Sequence, residues 1–186
     1  ALGCAYYSYI REFGYNAPFK ISLPYIGISH AESEIKKCIE DSGLNYTRYD
    51  DIELASIVAD YISNSKIVAM FRGRTELGPR ALCHRSILAN PCNPNMKDIL
   101  NNRVKHREPF RPFAPTVTEE NQFDYFNLLQ TSPYMLLATS VKDMYIEQLR
   151  SITHVDKTAR VQAISRESDP FIHKMLIELK KESVTR

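Results

Sequence analysis

A run of five apolar residues at 67–71 gives the clearest secondary-structure signal in this chain. The run is continuous and begins with two β-branched residues, which is typical of a strand buried on both faces. Helices are predicted before and after it, one capped by Asp50 or Asp51 and one that starts at Asp169 with Pro170 in its first turn. Because strands and helices are interspersed, the sequence predicts an α/β or α+β fold with a mixed sheet.

The remaining elements have shorter signals. Ser29 and Glu32 have the spacing of a capping box, which predicts a short helix that stops at Gly43. Asn95 is suited to cap another helix. Further strands are predicted at 86–89, 113–118, 134–141 and 159–165, and a further helix at 119–126.

Positive charge is concentrated in one quarter of the chain. Residues 71–115 hold nine basic and three acidic side chains, a net charge of +6, although the whole chain carries only +2. The rest of the chain is therefore acidic, with a net charge of −4. Such an asymmetry predicts an anionic partner for the basic segment.

Composition excludes several other classes of protein. Hydrophobic residues make up 44% of the chain, and Gly and Pro are few, so collagen-like and disordered chains are excluded. No apolar run reaches about 18 residues and no basic leader opens the chain, so we expect neither a membrane span nor a signal peptide and predict a cytoplasmic location. The four cysteines form no CxxC pair, which favours thiols over disulfides or a zinc site.

The first basic segment, residues 72–86, predicts a phosphate-type pocket. Gly78 allows a sharp turn and Pro79 is suited to a first helical turn, so the N–H groups after it and Arg80 are expected to face one anion. Arg80 and Arg85 are five residues apart, so they address different parts of a ligand or one of them pairs with Glu76. A solvated loop with surface ion pairs is the alternative.

Two further segments add candidate ligand contacts. Prolines exclude a helix at 105–115, and in an extended chain Lys105, Arg107 and Arg111 share one face that suits phosphate. A nucleic-acid-facing patch or a plain surface strand is the alternative there. In the predicted strand 159–165, Arg160 and Gln162 share a face. His154 and Asp156 lack a third metal ligand nearby, and no nucleophile motif is present.

Together these segments resemble the C-terminal domain of the O-carbamoyltransferases of nodulation-factor and antibiotic biosynthesis. The resemblance is carried by GRTELGPRAL with the following Arg-Ser, by KxRExFRPFAP, and by THVD with TARVQ, in the family's order. It implies a YrdC-like fold, a twisted mixed α/β sheet flanked by helices, with a basic cavity. Residues 1–18 are then expected to be the remnant of a preceding actin-like domain and its linker, and 19–186 the YrdC-like domain.

The resemblance also implies a reaction. The domain is expected to bind ATP, with Mg²⁺ carried by the nucleotide, and carbamoyl phosphate, and to form carbamoyl-adenylate. The actin-like domain, with its own metal, is expected to pass the carbamoyl group to the hydroxyl of a small molecule or saccharide. No metal ligand is expected in this chain. Three positions match expected catalytic cations: Arg80, Lys105 and Arg111. The expected ligand-binding positions are these three together with Arg74, Arg85, Ser86, Arg107 and Arg160.

The sequence departs from the family pattern at several positions. Cys83 and Lys157 stand where Gly is usual, and Asn-Pro-Cys at 90–92 replaces the usual Asp-Pro-Arg. The chain also stops at Arg186, before a segment that normally completes the nucleotide pocket, so the expectation is a fragment that binds anions with impaired turnover. The alternative function is a YrdC-like module that binds tRNA or double-stranded RNA through its basic wall.

Overall fold

The computed structural model describes residues 2–15 and 24–184, in which helices and short strands are mixed. The α-helices are α1 (Leu2–Phe13), α2 (Glu32–Asp41), α3 (Asp51–Ser63), α4 (Met96–Leu100), α5 (Gln122–Tyr125) and α6 (Pro170–Val184). The strands are β1 (Val68–Phe71), β2 (Arg85–Leu88), β3 (Thr116–Thr118), β4 (Ala138–Ser140), β5 (Thr158–Arg160) and β6 (Gln162–Ile164). A π-helical turn, Asn101–Lys105, continues α4. The predicted α/β class is confirmed.

The caps of the two long core helices are those predicted. Asp50 Oδ1 accepts hydrogen bonds from the backbone N–H groups of Ile52 and Glu53, at 2.9 and 2.8 Å, and α3 begins at the next residue. Asp169 Oδ1 accepts from Ile172 N–H at 3.1 Å, and Pro170 opens α6. Each carboxylate satisfies donors that the first helical turn leaves without a partner.

The predicted start of α2 is wrong by two residues. Ala31 occupies the N-cap position, and its backbone N–H donates to Glu34 Oε2 at 2.9 Å. Ser29 therefore caps nothing, because the reciprocal glutamate is Glu34 and not Glu32. None of the residues of α2 is buried.

The core lies between α3, α6 and the β1–β2 hairpin. α3 packs against α6, and the buried residues of this cluster are Ala55, Val58, Ala59, Ile62, Cys83, Ile164, Phe171, Ile172 and Met175. Val68 and Met70 of β1 and Leu88 of β2 pack onto it from the sheet side. A second cluster, which includes Phe126, Val141, Ile152 and Val161, lies under β4 and β5.

The strands of the described residues pair two by two, not in the single mixed sheet that was predicted. β1 and β2 are antiparallel, β4 and β5 are antiparallel, and β3 and β6 are parallel. The predicted strand 159–165 changes partner at Val161, so it forms two short strands. The predicted strand 113–118 begins only at Thr116, because Pro115 has no N–H to donate to a ladder.

The described residues do not test two other expectations, the domain boundary and the YrdC-like topology. The predicted boundary between residues 18 and 19 lies outside the described residues, and the YrdC-like topology stays a prediction. None of the described helices combines the length and the apolar character that a bilayer crossing requires.

Cys83 and Lys157 adopt the left-handed backbone conformation that glycine adopts most easily. Their φ angles are +80° and +63°. For residues with a Cβ this conformation costs about 1–2 kcal/mol. The two departures from the family pattern therefore fall at positions where a glycine relieves strain.

We expect Lys157→Gly to raise the free energy of unfolding by about 0.5–1 kcal/mol, because relief of the backbone strain exceeds the extra entropy of glycine in the unfolded chain. The lost ion pair with Asp143, at 3.8 Å and largely exposed, contributes little. Urea unfolding measures the difference. Lys157→Ala is the matched control, since it removes the same charge and keeps the strain. A glycine variant less stable than the alanine variant contradicts the expectation.

Candidate functional site

The β1–β2 hairpin packs against the core and also borders an open cavity. In β1, Val68 and Met70 pack onto the core, whereas Ala69 and Phe71 are exposed. Phe71 pairs with Arg85 across the hairpin, and Ala69 pairs with Ile87. Because side chains alternate along a strand, these four residues lie on the face of the hairpin opposite Val68 and Met70.

The loop between β1 and β2 is held by the carboxylate of Glu76. Its Oε1 accepts backbone hydrogen bonds from Leu82 at 2.8 Å, His84 at 2.8 Å and Arg85 at 3.0 Å. Burial acts to raise the pKa of Glu76, but these backbone bonds outweigh it, and the pKa lies below its ordinary value. The expectation that N–H groups after Pro79 face a bound anion is therefore wrong for these three, because Glu76 already occupies them.

A buried pair joins this loop to α6. His84 Nδ1 lies 2.7 Å from the carbonyl oxygen of Arg74, which only accepts, so Nδ1–H donates to it. His84 Nε2 lies 3.0 Å from Asp169 Oδ2, within hydrogen-bond distance. The ring of Tyr25 stacks on the imidazole with 3.7 Å between centroids, and its hydroxyl donates to Leu82 O.

Arg74 and Arg85 bind backbone carbonyl groups of the protein. The Arg74 guanidinium donates to Gly27 O and Ile26 O, both at 3.0 Å, and so ties the loop to the segment before α2. The Arg85 guanidinium donates to three carbonyl groups in the loop and lies 3.7 Å above the centre of the Phe71 ring. Both side chains fix the loop, and Arg85 also lies on the cavity wall.

The second basic segment does not form one extended cationic face. Lys105 ends the π-helical turn, and His106 then turns the chain with a φ of +46°. Arg107 donates to Asn101 Oδ1 at 2.8 Å. Arg111 pairs with Glu108 at 3.0 Å, and it does not line the cavity. The expectation based on residue parity is wrong because the turn at His106 interrupts the alternation.

The third segment contributes Arg160 to the cavity and keeps Gln162 in the core. Gln162 is fully buried, and its Oε1 accepts from the Thr116 hydroxyl at 3.3 Å. Arg160 lies on the cavity wall, and its Nε is buried without a hydrogen-bond partner in the described part of the chain. The two side chains that were expected to share a face are separated by the break at Val161.

The cavity itself has about 690 Å³, within the range of small-ligand sites. Five basic residues lie on its wall: Arg80, Arg85, Lys105, Arg107 and Arg160. No carboxylate lies on that wall among residues 2–15 and 24–184. Burial and the positive charge of Arg80 both lower the pKa of Arg160 from its ordinary value.

Three of these cations have no anionic partner in the protein. Within the described part of the chain, Arg80, Lys105 and Arg160 form no ion pair. Uncompensated like charges around one concavity repel each other, and an anion relieves that repulsion. The arrangement is suited to bind a multiply charged anion such as a polyphosphate.

The structure thus brings together most of the candidate residues and leaves two outside. Arg80, Arg85, Lys105, Arg107, Arg160 and Ser86 line one cavity, whereas Arg74 and Arg111 do not. Sequence reasoning missed Phe71 as a wall residue, although the parity of the strand that ends there placed it opposite Met70. No group of three or more His, Cys, Asp or Glu residues suited to hold a metal occurs in the part that the structure describes.

The fold and cavity define an α/β domain suited to bind anions, and the comparisons with known proteins identify its family. A family model described as "Carbamoyltransferase C-terminus" matches residues 59–185, more than half of the chain. The chain belongs to this carbamoyltransferase C-terminal family.

Several relatives share the same region. Nodulation protein U of Rhizobium tropici is 43% identical over 130 residues, which cover 70% of this chain and 22% of the relative. Nodulation protein NolO of Bradyrhizobium diazoefficiens is 41% identical over 141 residues, 74% of this chain and 25% of the relative. An uncharacterized protein of Synechocystis is 36% identical over 181 residues, 86% of this chain and 29% of the relative. The chain thus spans less than a third of the length of each of these relatives.

Proposed function

We propose that this domain binds ATP and carbamoyl phosphate in the cavity and forms carbamoyl-adenylate as part of an O-carbamoyltransferase. The carbamoyl group then passes to a hydroxyl group of a small molecule or saccharide in an actin-like domain of the same protein. Membership of the carbamoyltransferase C-terminal family supports the general reaction. The charge and shape of the cavity support the choice of substrates.

The observation that carries the proposal is that Arg80 and Arg160 lie on one cavity wall to which the described residues contribute no carboxylate. Arg80 lowers the pKa of Arg160, so the two guanidinium groups repel each other in the free protein. The protein offers Arg160 Nε no acceptor within the described residues. Phosphate oxygens supply both the missing negative charge and the missing acceptors. A nucleoside triphosphate together with carbamoyl phosphate supplies the negative charge and the acceptors that these cations lack.

The chemistry requires charge neutralisation and alignment, and it needs no side-chain nucleophile. Water first cleaves carbamoyl phosphate into carbamate and inorganic phosphate. An oxygen of the carbamate then bonds to the α-phosphorus of ATP, and pyrophosphate leaves. Both reactants are anions, so fixed cations lower the barrier by offsetting the charge that develops as they meet. Arg80, Lys105 and Arg160 take this role on the cavity wall.

Magnesium enters with the nucleotide in this proposal. The described residues contain no cluster of three acidic, His or Cys side chains that would hold it alone. Mg²⁺ in nucleotide sites is commonly bound by substrate phosphates and water with few protein ligands. The cavity therefore binds the metal–nucleotide complex through its cations.

Isotope exchange between pyrophosphate and ATP tests the proposal with the chain as it is. We expect exchange that depends on carbamoyl phosphate and Mg²⁺, because the adenylate forms reversibly. Omission of carbamoyl phosphate is the control, and the exchange should then stop. Absence of exchange in folded protein that also fails to bind ATP contradicts the proposal. Binding of RNA that falls steeply with salt, without any preference for ATP, would instead support the nucleic-acid alternative.

A further inference from the structure

Phe71 is an exposed aromatic side chain on the wall of a cavity that five basic residues also line. It is the last residue of β1, and 62% of its surface is accessible. Half-buried and exposed residues alternate along β1, so the exposure of Phe71 follows from its position in the strand. Because the exposed ring lines the cavity, it is available to contact a ligand there.

The side chains of Arg85 and His30 lie beside the ring of Phe71. The Arg85 guanidinium lies 3.7 Å from the ring centre and covers part of it. Arg85 is itself held by hydrogen bonds to the carbonyl groups of Arg72, Gly73 and His84. An aromatic ring held in this way loses little conformational entropy when a second planar group stacks on it.

Apolar and cationic side chains both line the cavity around Phe71. Ala69 and Ile87 lie beside Phe71 and Arg85 on the outer face of the hairpin. Arg80, Lys105 and Arg160 belong to three other segments that line the same cavity. A ligand with one planar, weakly polar end and one polyanionic end fits a wall that offers both an aromatic ring and several cations.

We propose that Phe71 is the stacking platform for the nucleobase of the bound nucleotide, with the phosphates on the three cations. This inference rests on the proposed function and adds the residue that distinguishes a nucleotide from inorganic polyphosphate. Bases stack on aromatic rings regardless of their hydrogen-bonding pattern, so the platform favours nucleotides as a class.

Calorimetry with two probes, ATP and inorganic tripolyphosphate, tests the inference on the full 186-residue chain. We expect Phe71→Ala to weaken ATP binding by about tenfold or more, the effect typical of one lost base stack, and to leave tripolyphosphate binding within about twofold. Phe71→Tyr keeps the ring and should keep the ATP affinity. Phe110→Ala is the matched control, since Phe110 is also exposed, at 76%, but does not line the cavity.

The outcomes separate this inference from the function on which it rests. If the wild-type chain binds neither probe, the polyphosphate site and the platform are both wrong. If tripolyphosphate binds but Phe71→Ala weakens both probes equally, or weakens neither, the cationic site stands and the platform is overturned. A thermal melt of each variant identifies any loss of folding, and Phe71→Tyr then decides whether the ring itself is required.

Discussion

Replacement of Arg80 or Lys105 with Ala is expected to weaken ATP binding by about 1.5–3 kcal/mol while the melting temperature stays nearly unchanged. The loss corresponds to one charge-assisted hydrogen bond between a cation and a phosphate oxygen. The melting temperature stays nearly unchanged because neither side chain forms an ion pair in the described part of the free protein, and because both are exposed. Loss of Arg80 also removes the repulsion that acts on Arg160.

Calorimetry with ATP and Mg²⁺ measures the loss, and Arg103→Ala is the control. Arg103 is an exposed cation in the same π-helical turn as Lys105, but it is not on the cavity wall. We expect this control to bind ATP with nearly wild-type affinity. Equal affinities for wild type, Arg80→Ala and Lys105→Ala would remove both residues from the site. An equal loss in Arg103→Ala would show a general effect of net charge instead of a local contact.

The elements that the sequence predicts well are those whose determinants are local. The caps of α3 and α6 could be identified because Asp50 and Asp169 bind N–H groups only two or three residues ahead. The strand that ends at Phe71 was clear from its continuous apolar run. The start of α2 was wrong because two glutamates, Glu32 and Glu34, compete for the same capping role. Strand pairing could not be predicted, since it depends on partners distant in sequence.

The same distinction applies to the candidate site. The basic segments were visible in the sequence, but the partner of each cation was not. The contacts of Arg74 with Ile26 and Gly27 span more than 45 residues. Glu76, instead of a bound anion, accepts the backbone hydrogen bond of Leu82 because the loop folds back over its carboxylate. The turn at His106 sends Arg111 towards Glu108 and away from the cavity wall. Residue type thus predicts the chemistry of a site, while the tertiary fold determines which of the candidate residues lie together.

The largest effect on stability is expected at Asp169, where replacement by Ala should lower the free energy of unfolding by about 3–5 kcal/mol. Asp169 is 4% exposed, pairs with His84 and caps α6 through Ile172. Removal of one member of a buried pair leaves the other without compensation, which is the costly case. Asp169→Asn keeps an oxygen for the cap and removes the charge, so it separates the contribution of the pair from that of the cap. Urea unfolding at neutral pH measures both variants.

Acidification gives an independent test of the same pair. Burial acts to raise the pKa of Asp169, but the hydrogen bonds from His84 and Ile172 and the charge of Arg72 outweigh it and hold the pKa below its ordinary value of 3.8. A carboxyl group with a lowered pKa in the folded state stabilises the protein above its ordinary pKa, and that stability is lost as the pH falls through the folded value. The difference between wild type and Asp169→Ala should therefore shrink below about pH 4. Glu40→Ala is the control, since Glu40 forms only an exposed pair with Lys36 and should change stability by less than about 1 kcal/mol. If Asp169→Ala costs no more than Glu40→Ala, or if its cost does not depend on pH, the pair does not hold the loop to α6.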